Sequence, residues 1–335
     1  MRPEAGQESR PETWPETRPE SRLETRPEVA RMTTKKPFKL DRRRLSLTLM
    51  ALPFVIFVFM FSYVPLHGWI YSLYEYQPGI PLFKNLFIGL DNFKYILKDM
   101  NNIKRVLGNT FIFYSLGILT SVIPVILAIL LTECGSRRFK KLVQTTTTLP
   151  NFISWVIVFS LAFNIFYSDG ILNRVLLGLG VISEPILLLA SRDAVYVFQT
   201  LVAVWKGAGW GSIIYLAAIA GIDQELYEAV AIDGAGRWGR IRYITLPGII
   251  PTLIVLLLLQ ISSLLSVGLE QYLVFSNNIV QRNIEVLDFY VYRVGLQSRD
   301  YAYAIAIGML KTVISVILLF TVNRFSKQVR GESII

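Results

Sequence analysis

The sequence predicts an all-α, polytopic membrane protein with about six transmembrane helices. Three observations carry that prediction. Of the 335 residues, 53% are hydrophobic and only 17% charged, against about 25% charged in soluble chains. The apolar residues are gathered into runs long enough to cross a bilayer. Lys and Arg, which give a formal net charge of +10, flank those runs, as the positive-inside rule expects. That placement accounts for the basic balance without a nucleic-acid partner.

In chain order, the first element is not a helix. Residues 2–28 contain a tetrapeptide repeat: Pro11-Glu12-Thr13-Trp14, Pro15-Glu16-Thr17-Arg18, Pro19-Glu20-Ser21-Arg22 and Leu23-Glu24-Thr25-Arg26. Pro, Glu, Arg and Thr bury too little apolar surface to offset ordering entropy, so disorder is expected. An apolar h-region is missing, which excludes a secretory signal. Met32 opens a short basic leader and is the expected translation start. Residues 1–44 are read as a disordered, basic tail, 45–325 as the transmembrane domain and 326–335 as a second tail.

A bilayer core of about 30 Å needs roughly 20 apolar helical residues. Six segments qualify: 45–66, 108–132 with Pro124, 147–167 around Trp155, 195–221, 248–270 with the run Leu253 to Leu259, and 302–322. Cationic clusters stand before the first (Lys35, Lys36, Lys39, Arg42–Arg44), between the second and third (Arg137, Arg138, Lys140, Lys141), between the fourth and fifth (Arg237, Arg240, Arg242) and after the sixth (Arg324, Lys327, Arg330). These segments share one side, which the charge rule makes the cytoplasm. Both termini are therefore expected in the cytoplasm. Lys84, Lys94, Lys98, Lys104 and Arg105 fall on the opposite side, but in a long loop mixed with Asp91 and Asp99.

Several chemistries are excluded. Cys134 is the single cysteine, so no intrachain disulfide forms. His67 is the single histidine, which rules out a multi-histidine metal site, a His-Glu-x-x-His motif and a Ser/His/Asp set other than one built on His67 near the end of the first span. No Gly-x-x-x-x-Gly-Lys-Ser/Thr loop is present, so a nucleotide-phosphate cradle of that type is absent. No metal or other cofactor is expected on this chain.

The most informative stretch runs from Asp223 to Pro247. Asp223 is a good N-cap and Glu225 favours a first helical turn. Leu226, Ala229 and Val230 are spaced to share a helix face. Gly234 permits a sharp turn, and Arg237 to Tyr243 can form a second short helix before Pro247, which suits the start of the fifth span. Small alanines on an exposed helix let another protein approach closely; the plainer reading is a helical hairpin capping the bundle.

This string resembles the EAA loop of binding-protein-dependent ABC importer permeases. Glu228, Ala229 and Ala231 stand in its first part, with Val230 in place of an alanine; Asp233, Gly234 and Ala235 match its centre; Ile244, Leu246 and Pro247 close it. Further strings, 139–144, 149–155, 205–211 and 290–296, resemble the LplB-type branch of the maltose-transporter-like carbohydrate permeases, and the likeness covers roughly 45–330. The resemblance implies a multi-pass protein of the bacterial cytoplasmic membrane whose loop is a coupling helix docked on an ATPase. Its partners would be a second related permease, an ABC ATPase dimer carrying ATP-Mg, an extracytoplasmic solute-binding protein and the lipid bilayer. Glu228 would pair with a basic group of the ATPase, and the chain itself would not be an enzyme. Its implied cargo is an oligosaccharide, with a non-sugar solute as the alternative. A polytopic membrane enzyme or a receptor scaffold are the readings from other classes.

Polar groups within apolar spans are costly and tend to face cavities. Asn164, Lys206, Gln260 and Glu270, with Trp205 and Trp210 close by, are the candidates for the substrate pathway. Lys206 and Glu270 could instead pair with each other. Tyr272, Tyr290 and Tyr292 are expected to be interfacial aromatics.

Overall fold

The computed structural model describes residues 42–330. Nearly all of the N-terminal tail, Met32 included, and residues 331–335 lie outside the described residues. Within them the chain is helical, with a single isolated bridge, Tyr74 to Phe87, and no strand. Six helical stretches are long and apolar enough to cross a membrane: Ser46–Leu73, Met100–Glu133, Trp155–Gly178, Val195–Ala220, Arg237–Ser262 and Tyr301–Arg324. The all-α, six-span class read from the sequence is the observed one.

The helix Arg42–Val58 is a unit by itself. Every residue from Ser46 to Val58 is exposed, including Leu49, Met50, Phe54 and Phe57. A helix apolar all round and exposed along its length suits hydrocarbon surroundings. The remainder, from Phe59 on, is a second unit.

In the second unit the spans are interrupted where the backbone ladder loses a donor. Pro124 cannot bond the carbonyl one turn back, and the second span breaks at Ser121 between Met100–Thr120 and Val122–Glu133. The hydroxyls of Thr120 and Ser121 donate to the carbonyls of Leu116 and Ile118, at 2.8 and 2.7 Å, and so satisfy backbone groups near the break.

The third span departs from expectation. Its apolar helix starts at Trp155, not at residue 147. A basic, amphipathic helix, Arg137–Thr148, leads into a 3-10 turn, Leu149–Phe152, containing Pro150. Ile153 and Ser154 are extended, and the Ser154 hydroxyl caps the next helix by accepting from the Ile157 amide. The helix Trp155–Phe166 has 12 residues, a length of about 18 Å, short of the roughly 30 Å of a bilayer core. The candidate crossing, Trp155–Gly178, therefore takes in the next helix, Ile171–Gly178, as well.

The fifth span also differs. It runs as helix from Arg237 through a π turn at Ile241–Thr245, and on from Leu246 to Ser262. Pro247 sits inside this path instead of opening it, and the π turn precedes the proline because the ring removes one amide from the ladder. The far end comes early: the helix stops at Ser262, not at 270.

Packing places three apolar clusters along the bundle. One joins Val125, Ala128, Tyr215, Ile219 and Ile249 of the second, fourth and fifth spans. Another gathers Phe113, Val158, Phe198, Phe275, Ile284 and Phe289. The third joins Ile103 and Val106 to Tyr290, Tyr303 and Ile307. The segment 281–293 is bonded onto the bundle by a buried carboxylate: Glu285, 2% exposed, pairs with Arg105 at 2.8 Å and with Arg293. Asn109 adds bonds to the carbonyls of Arg282 (2.8 Å) and Glu285 (3.1 Å). Tyr272 and Tyr290, expected at an interface, are buried at 4% and 3% exposure. The Tyr290 hydroxyl donates to Asp99.

Candidate functional site

Two places in this fold carry polar groups that the core does not require. The first is a cavity of about 260 Å³ between the second, fourth and fifth spans. Thr120, Ser121, Gln199, Thr200, Gln260 and Tyr272 line it, with Gly117 and Gly207 as its small walls. Gly117 matters because a Cβ there would lie 3.4 Å from the Gln260 amide nitrogen. Gln199 is fixed from behind: the Gln271 amide donates at 2.9 Å both to its carbonyl and to its Oε1. Burial pushes the Tyr272 phenol pKa up, so it stays a neutral hydroxyl at ordinary pH. Amides and hydroxyls around a small cavity suit a neutral, hydroxyl-rich ligand.

Of the pathway candidates, Gln260 alone lines this cavity. Gln199, Thr120 and Ser121 were missed; Gln199 stands within an apolar run, which is the signal that could have found it. Trp210 is half exposed and meets Phe152 edge to face, with ring centroids 5.7 Å apart. Trp205 lines a separate apolar groove with Val158, Leu161 and Phe198. Asn164 is exposed and its amide donates to the Ser160 carbonyl one turn back, at 2.8 Å. Glu270 is exposed at the start of the short helix Glu270–Val274, outside the fifth span, and forms no ion pair with Lys206 among the described residues.

Lys206 is held by backbone carbonyls of the third span. Its ammonium donates to the carbonyls of Pro150 (3.2 Å), Asn151 (2.8 Å) and Ile153 (2.7 Å) and lies 5.4 Å from the centre of the Trp155 ring. An ammonium has three N–H donors, so none is left for a ligand. Next to it the fourth span touches backbone directly: a Cβ at Gly209 would fall 2.1 Å from the Thr147 carbonyl oxygen.

The second place is the segment 223–247. Asp223 caps the helix Gln224–Ile232, its carboxylate accepting from the Glu225 amide at 3.0 Å. The helix closes in a Schellman motif: Ala235 N–H donates to the Val230 carbonyl and Gly234 N–H to that of Ala231, each at 3.1 Å. Gly234 adopts φ +75° to do so, a left-handed conformation costly for other residues.

No residue of this helix is fully buried. Tyr227 and Val230 turn inward, and the Tyr227 hydroxyl meets the Thr245 hydroxyl at 3.0 Å. Leu226 and Ala229 are exposed, along with Glu225, Glu228, Ala231, Ile232 and Asp233. Beyond the bend, Trp238 is 82% exposed, while Ile244 is buried and Leu246 and Pro247 are exposed. Glu228 forms no ion pair among the described residues. At the foot of the segment Arg240 pairs with Glu133 at the end of the second span, at 3.2 Å. Among the described residues no group of His, Cys, Asp and Glu could hold a metal ion.

Residues 123–331 match the family of binding-protein-dependent transport system inner membrane components. The chain belongs to that family. Over 290 residues it is 36% identical to protein LplB of Bacillus subtilis (strain 168), covering 86% of this chain and 90% of the relative. It is equally identical, over 290 residues, to the polygalacturonan/rhamnogalacturonan transport system permease protein YteP of the same organism, covering 86% and 89%. Among solved structures, it matches a chain of a bacterial ABC transporter involved in the import of the acidic polysaccharide alginate. The TM-score is 0.77 at 32% identity, over 86% of this chain and 97% of that one. A bacterial alginate transporter in complex with an alginate pentasaccharide-bound periplasmic protein gives 0.78 at 31%, over 87% and 97%. As a member of the inner membrane component family, this multi-pass chain is an ABC transporter permease subunit and not an enzyme.

Proposed function

We propose that this permease moves an oligosaccharide inward across a bacterial cytoplasmic membrane. It works beside a second related permease, receives cargo from an extracytoplasmic binding protein and is driven by an ABC ATPase dimer that holds the ATP-Mg. The observation that carries this reading is the segment 223–247. Glu228, Ala229, Ala231, Asp233, Gly234 and Ala235 form a capped knob whose outer face is exposed among the described residues. Ile244, Leu246 and Pro247 join that knob to the fifth span. An exposed Trp with small neighbours is the composition of a binding hot spot. The knob is the coupling helix, and closure of the ATPase dimer displaces it and the spans it joins.

Sugar cargo is supported by the neutral amide and hydroxyl lining of the cavity around Gln260 and by the relatives' names, which include polygalacturonan, rhamnogalacturonan and alginate. The clusters Arg137–Lys141 and Arg237–Arg242 support a cytoplasmic side for the segment and both termini.

The test places a cysteine at Trp238 in a Cys134→Ser chain and adds a membrane-impermeant thiol reagent to intact cells and to inverted vesicles. Labelling only in inverted vesicles is expected; labelling of intact cells would overturn the reading. In parallel, Glu228→Lys should insert normally, lose transport and fail to co-purify the ATPase. A glycan panel against the cognate binding protein distinguishes sugar from other solutes.

A further inference from the structure

The third span is jointed, and the joint is held by a group from another span. Ile153 and Ser154, both extended, separate the turn Leu149–Phe152 from the helix Trp155–Phe166. The lysine that meets this joint comes from the middle of the fourth span and is 9% exposed. Three carbonyls of the joint, those of Pro150, Asn151 and Ile153, converge on its one ammonium, and the Trp155 ring, first residue of the following helix, faces it as well. One turn along, Gly209 lets the fourth span rest on the Thr147 carbonyl, at the end of the preceding helix. Both sides of the joint are thus attached to the same span.

We propose that Lys206 is a positioning residue of the transport cycle: it fastens the joint to the fourth span, so that Trp155–Phe166 moves with that span as one body. Opening the clasp would leave the ammonium without its three acceptors and the Asn151 and Ile153 carbonyls without this donor, beside the middle of an apolar span where water cannot replace the lost bonds. The clasp therefore stays closed while the permease alternates. The fourth span ends at Ala220 and the knob helix starts at Gln224, so displacement of the knob reaches the third span through Lys206. This rests on the importer reading above.

The experiment uses the complex co-purified with its ATPase and second permease, in lipid nanodiscs, on a Cys134→Ser chain. Spin labels go on Val156 and Leu201, 60% and 61% exposed, and their separation is read without nucleotide and with ATP plus vanadate. With Lys206 intact the separation is expected to stay constant; in Lys206→Met it should shift on trapping, by about 2 Å or more, the scale of helix shifts in such transitions. Lys206→Arg, which keeps donors for the carbonyls, should restore constancy. A purely structural lysine would lower the complex's thermal stability in Lys206→Met without making the separation depend on nucleotide, and that result would overturn the proposal. So would a nucleotide-dependent separation with Lys206 intact, a measurement that decides the matter even if Lys206→Met fails to assemble. A single label at Trp238 separates the two readings: a spectrum unaffected by the ATPase would show that the importer reading itself had failed.

Discussion

The middle of the fourth span and the knob that follows it are close in sequence and opposite in character. At Trp205–Gly211 the polar and small residues face inward: Lys206 spends its donors on the third span and Gly209 meets backbone. At Gln224–Trp238 the charged groups and Trp238 face outward, and Glu228 and Arg237 form no ion pair among the described residues. The difference separates two kinds of importance. A residue satisfied inside its chain holds the fold, whereas an exposed residue without an internal partner is open to one from outside.

Substitutions can break or sharpen that contrast. The largest effect is expected at Gly209→Val, whose Cβ would overlap the Thr147 carbonyl. The clash is with backbone, so a loss of more than about 4 kcal/mol is expected, seen as failure to recover folded protein by fluorescence-detection chromatography. Glu285→Ala should come next. It leaves Arg105 and Arg293, themselves only partly exposed, without their carboxylate. About 3 kcal/mol is expected, measured as a lower Tm in detergent. Gly234→Val is smaller in stability, about 1–2 kcal/mol for the left-handed residue, but should abolish uptake of the cognate sugar in cells. Trp238→Ala should fall within about 0.5 kcal/mol of wild type and still weaken ATPase capture in a pull-down. If Trp238→Ala destabilised the chain as much as Glu285→Ala, the contrast between inward and outward residues would be wrong.

The sequence made the six apolar stretches legible because hydropathy over about 20 residues is a strong signal. It misplaced their ends where composition stayed apolar while the backbone stopped being helical. Pro150 and the capping Ser154 mark the late start at Trp155, but the hydrophobic run around them continues. At the other end of the fifth span, Ser262 to Gly268 reads as mildly apolar, although Gly268 at φ +105° is incompatible with helix. Lys206 could be flagged as a lysine in an apolar span, but its partners are carbonyls, and every residue has one. The knob was the most legible part of the site, because caps and glycine bends are written in residue types. The faces of its helix were not, since Leu226 and Tyr227 are both apolar enough to be buried and only tertiary packing chooses between them.

Gly221, Ile222 and Asp223 alone separate the fourth span from the knob helix, and on the other side helix runs from Arg237 to Ser262 with no coil between. Such an arrangement has almost no slack. Three residues extend to roughly 10 Å at most, and packed helices do not stretch. A push on the knob cannot be absorbed locally as it would be by a floppy linker, and both spans must respond to it together.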